Sequence, residues 1–168
     1  MLRLVLFCVA FTLTNYSFAS GDYVSKVDIP LSGGVATLRG ENGDSQEMVV
    51  EFQVSPYTSH FPFRSGWRWG VEGGDPTTVI TGLDIQLDAV QLFIPISVYC
   101  DLSNPRSATL RRVGKTYEIT IAGGDAAGAY RATLKFNGKW IRSKKVAHGE
   151  FPDEAWEETT YSFNTGEE

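Results

Sequence analysis

The chain has 168 residues, 42% of them apolar and 12% aromatic, with 20 acidic against 15 basic side chains. That apolar share excludes a disordered chain, and the length excludes a multi-domain enzyme with a separate cofactor domain. A formal net charge of −5 excludes a globally basic nucleic-acid binder, and two cysteines are too few for a disulfide scaffold.

Residues 2–13 form an apolar run with a single base, Arg3, followed by Ser17-Phe18-Ala19. This layout predicts a signal peptide over 1–19, cleaved after Ala19, because small side chains stand at the −3 and −1 positions. The run is too short to span a bilayer. The expectation is one secreted or periplasmic β-sandwich domain over 20–168, with no transmembrane segment. Cys8 falls in the leader, which leaves Cys100 without a partner for an internal disulfide.

Met48, Val50, Phe52 and Val54 alternate with Glu47, Val49, Glu51 and Gln53, and Leu83, Ile85 and Leu87 alternate with Asp84, Gln86 and Asp88. A period of two over such lengths predicts strands with one buried face. Residues 89–100 are apolar on both faces, which predicts a central strand with a bulge or an edge at Pro95, since proline cannot donate to a ladder. Arg112-Val113-Gly114-Lys115 predicts a hairpin turn into a strand where Tyr117, Ile119 and Ile121 alternate with Thr116, Glu118 and Thr120. Tyr130–Phe136 alternates in the same way, and Asn137-Gly138 separates it from a second run over Lys139–Val146. Asn-Gly between two such runs predicts a type I′ hairpin with φ above zero at both central residues. Pro152 and the acids behind it predict a short helical turn within 151–158. Eight to ten short strands make an all-β chain, most simply a two-sheet antiparallel sandwich, with a small barrel as the alternative.

The catalytic strings that can be tested are absent: no HExxH, CxxC, P-loop or Gly-x-Ser-x-Gly occurs. No metal, cofactor or catalytic residue is expected. Cys100 shares parity with Ile96 and Val98, which places its thiol on an apolar face, where free cysteine behaves as a small hydrophobe.

Charge is segregated. Residues 106–145 carry ten bases and two acids, while 146–168 carry seven acids and neither Lys nor Arg. If Phe136 and Lys139 flank a two-residue turn, then 135 faces 140, 133 faces 142 and 131 faces 144. Arg131, Lys135, Trp140, Arg142 and Lys144 then share one outer face, opposite a core face of Tyr130, Ala132, Leu134, Phe136 and Ile141. Two outcomes compete. The acidic segment folds back, Glu157 and Glu158 neutralise the bases and Trp140 is covered. Otherwise the face stays open to an anionic partner, with Trp140 as a stacking platform. A second candidate surface is a proline-broken aromatic loop with Tyr57, Phe61, Phe63, Trp67 and Trp69. Rigid aromatics suit carbohydrate or protein recognition; in the competing reading Trp67 and Trp69 point into the core. The expected function is a secreted or periplasmic, non-catalytic binding domain for an anionic polymer, a carbohydrate or a protein, and not for nucleic acid. The alternatives are an envelope-associated structural or assembly protein, and a secreted hydrolase or enzyme inhibitor.

Overall fold

The computed structural model describes residues 24–41, 47–59 and 68–164. The signal-peptide reading and the loop residues Phe61, Phe63 and Trp67 lie outside the described residues. Among the described residues ten strands follow in order: β1 (Val24–Asp28), β2 (Gly34–Glu41), β3 (Glu47–Pro56), β4 (Thr78–Leu87), β5 (Val90–Gln91), β6 (Pro105–Val113), β7 (Thr116–Gly123), β8 (Tyr130–Phe136), β9 (Ile141–His148) and β10 (Ala155–Thr160).

They form two antiparallel sheets, six strands in the order β1-β6-β7-β8-β9-β10 and four in the order β2-β3-β4-β5. The chain lays down β1, crosses to build the smaller sheet, and returns with β6 to pair against β1. Each sheet keeps two edges, so the architecture is a sandwich and the barrel alternative is set aside.

The alternation in the sequence explains the core. Val50, Phe52 and Ile85 from the smaller sheet meet Leu110, Ile119, Ile121, Leu134 and Phe136 from the larger, all fully buried. Each large apolar side chain buried in this way contributes about 1.5–3 kcal/mol. The two sheets are unequal in width. Inner side chains of β9 and β10 therefore meet Trp69 and Asp101, from segments outside the strands.

Three local expectations are corrected. Residues 89–100 are not a central strand. Asp88 and Ala89 take φ of 49° and 62°, so a tight hairpin returns the chain for only the two residues of β5, at a sheet edge. Pro95 then opens a 3-10 turn over Ile96–Val98. Val90 and Phe93 are 64% and 62% exposed, so the apolar run does not report burial. Residues 151–158 are not helical. A turn closed by Glu154 N–H on the Phe151 carbonyl leads into β10. The Asn137-Gly138 connection is not type I′, because neither residue has positive φ. Asn137 Oδ1 instead accepts hydrogen bonds from the Lys139 and Trp140 amides, at 2.9 and 2.7 Å, which shapes a longer loop.

Candidate functional site

The altered turn changes the register of the basic hairpin. Phe136 pairs with Ile141, but Lys135 pairs with Ser143, Thr133 with Lys145 and Arg131 with Ala147, so β9 carries one extra residue at a bulge. A one-residue slip exchanges the faces of a strand. Beyond the bulge, Lys145 therefore replaces Lys144 on the outer face.

That outer face gathers Arg131 and Lys135, both exposed, with Lys145 directly across from the Thr133 between them. Lys135 also lies 3.3 Å from Glu118, which pairs with Arg111 at 2.5 Å. The hydrogen bond from Arg111, aided by that from Lys135, outweighs partial burial and holds the Glu118 carboxyl below the usual carboxylate range. Across the middle of the sheet runs a row of facing residues, Lys26, Thr109, Thr120, Thr133, Lys145 and Glu158. Three half-buried threonines thus form a hydroxyl floor with a lysine at each end.

Lys144, expected on that face, points the other way and is 1% exposed. Its Nζ lies 2.7 and 2.5 Å from the two carboxylate oxygens of Asp101, and 3.4 Å from Glu157 Oε1. Burial pushes the Asp101 carboxyl up, against the pull of Lys144. Glu157 is also penalised by burial, yet the hydrogen bond from Trp69 Nε1 and the Lys144 charge take its carboxyl below the usual value. A buried cation held by two carboxylates satisfies the demand that an internal charge be paired.

The acidic segment does fold back: β10 pairs with β9, with Thr159 opposite Lys144 and Glu158 opposite Lys145. Trp140 is partly covered, stacked on Phe163 at 5.1 Å, so it belongs to the C-terminal packing rather than to the basic face. Arg142 is exposed at the bulge.

Of the aromatic loop, Tyr57 and Trp69 are described. Arg68 stands over the Tyr57 ring at 5.6 Å and donates from Nη1 to the Cys100 carbonyl. Trp69 is fixed by its backbone to the segment around Leu102, through Trp69 N–H to the Asp101 carbonyl and Ser103 N–H to the Trp69 carbonyl. Gly70, at φ +95°, lets the chain pass against it, since a Cβ there would lie 2.4 Å from the Ser103 carbonyl oxygen. The Trp69 ring is half-buried against the core and stacks on Trp156 at 5.2 Å, while His148 meets the Trp156 ring edge-on. Trp69 thus packs partly against the core. A cleft of about 410 Å³ opens here, lined by Arg68, Trp69, Glu72, Gly128 and Trp156.

Cys100 sits in the turn after the 3-10 segment, half-buried, rather than at the end of a strand. Burial, with Asp101 adding to it, raises its thiol, the opposite of what activates a nucleophile. Trp156 and Asp101 were not singled out by sequence reasoning. For Trp156 a signal existed: Thr159, Thr160 and Tyr161 are strand-favouring residues, and the acids and Pro152 masked them.

No known protein family, curated protein or solved structure matches the chain.

Proposed function

We propose that the chain is an exported, secreted or periplasmic, non-catalytic binding domain that holds an acidic polysaccharide on the outer face of its larger sheet. The observation that carries the reading is the outcome of the charge segregation. The acidic strand folds back, but its Glu157 turns inward to Lys144, and Arg131, Lys135 and Lys145 stay outside around Thr133. Glu118 offsets Lys135 and Arg111 together and Glu158 stands opposite Lys145, which leaves four cations, Arg111, Arg131, Lys135 and Lys145, against two carboxylates there.

The character of the floor favours a polysaccharide over a protein. Protein interfaces depend on an apolar, aromatic centre. Here the central rows present Thr109, Thr120, Thr133, Ser143 and Ala122. Hydroxyls spaced by the strand separation of about 4.8 Å suit a hydrated, hydroxyl-bearing chain with regularly placed negative groups.

The test is retention on a sulfated or carboxylated polysaccharide column as salt is raised. The unaltered protein should bind at low ionic strength and elute as screening shortens the reach of each charge. Replacing Arg131, Lys135 and Lys145 with Gln together should abolish retention while each replacement changes the unfolding free energy by no more than about 0.5 kcal/mol, as surface changes do. Retention that survives the triple replacement would refute the reading.

A further inference from the structure

We infer that the cleft between Trp69, Trp156 and Gly128 is a second binding site, for a neutral pyranose ring. It lies apart from the basic sheet face, and its chemistry is different.

Four observations converge. The cleft is concave, about 410 Å³, within the roughly 300–1,000 Å³ range of small-molecule sites. Its lining includes a stacked pair of indoles, Trp69 and Trp156, with centroids 5.2 Å apart and planes 19° from parallel. Trp69 Nε1 is committed to Glu157 Oε2 at 2.9 Å and its ring backs Trp156, so the indole surface presented to a ligand is that of Trp156, 38% exposed. An indole face carries negative π density, which attracts the slightly positive C–H groups on the apolar side of a sugar ring. Opposite, Gly128 leaves the wall bare; a Cβ there would stand 3.2–3.3 Å from Val71 and Glu72.

The charges select the class of ligand. Arg68 lies on the lining together with Glu72. An anion entering the cleft meets Glu72 and a cation meets Arg68, whereas a ring of neutral hydroxyls can donate to the carboxylate and accept from the guanidinium. Arg68 is already steadied by the Cys100 carbonyl and the Tyr57 ring, and Trp156 by Trp69 and His148. Groups fixed before binding lose little freedom on it.

The experiment is titration of intrinsic tryptophan emission with neutral disaccharides (cellobiose, maltose, lactose) and with glucuronic acid, up to millimolar concentration. At least one neutral sugar should change the emission saturably and equally at low and high salt, and glucuronic acid should not. Trp156→Ala, at an exposed edge-strand position, should weaken that binding at least tenfold. Glu72→Gln, at an exposed loop position, should weaken it by a smaller factor with the fold intact. The Arg131, Lys135 and Lys145 triple Gln variant should leave it unchanged, which separates this site from the polysaccharide face. A flat response to every neutral sugar, or a response that persists in Trp156→Ala, or one confined to glucuronic acid, would overturn the inference.

Discussion

Lys144 and Lys145 are neighbours in the chain and opposites in environment. The first is sealed against Asp101 and Glu157; the second stands on the outer face opposite Thr133. Lys144→Met should therefore destabilise the protein by about 3 kcal/mol in urea unfolding, because it strands Asp101 with its partner gone. Lys145→Met should change stability by no more than about 0.5 kcal/mol. Equal effects of the two substitutions would contradict the bulge. This cluster, with Glu118 on the outer face, fixes a pH response. Glu157 and Glu118 have depressed folded values, so their stabilisation is present above the unfolded carboxylate pKa of about 4 and is lost as pH falls through the lower folded values. Asp101, raised by burial, works in the other sense: its contribution is present below the unfolded value and is lost as pH rises through the folded one. Urea midpoints measured between about pH 2 and 7 should fall less steeply toward acid in Glu157→Gln than in the parent. Parity alone could not reveal any of this, since a single added residue reverses it.

The elements were legible in the sequence where period two was clean, as in β3, β4, β7 and β8, and obscure where turn chemistry decided. Asn137-Gly138 carries the strongest type I′ signal, yet Asn137 spends its side chain on the amides of Lys139 and Trp140, and its backbone stays at negative φ. The hairpin in which both central residues have positive φ belongs to Asp88 and Ala89, neither of which announces it. This gives a measurable contrast. Ala89→Gly should stabilise by up to about 1 kcal/mol by relieving a left-handed alanine. Gly114→Ala, at φ +62°, should cost about 1 kcal/mol. Gly138→Ala should cost less than Gly114→Ala, having only the flexible end of Leu87 to displace. Thermal melts of the three rank them, and a Gly138→Ala cost equal to that of Gly114→Ala would restore the type I′ turn. β10 was hidden for another reason. Its acids and Pro152 resemble a helix start, while its partner β9 supplies the pairing that makes it a strand.

At the scale of the whole molecule, the sandwich was legible because alternating apolar faces must meet each other. The site was less so. The order of residues along the chain shows ten bases between 106 and 145, but not which of them the tertiary structure consumes. Arg131 and Lys135 remain where parity puts them, Lys144 and Trp140 do not, and the indole pair joins positions 69 and 156, far apart in sequence. The two surfaces should also differ in ionic response: capture of an acidic polymer falls with salt while sugar binding at the indoles holds, which one titration series at several salt concentrations compares directly.

The position of Glu157 on the tenth strand also sets an order of events. Glu157 reaches Lys144 and Trp69 only when β10 lies against β9, so both contacts form together. A chain halted before Ala155 keeps a lysine facing inward with one of its two counter-charges missing and β9 exposed as a bare edge. The tenth strand thus acts as a clasp, closing the wide sheet over a charge cluster that the earlier strands leave incomplete.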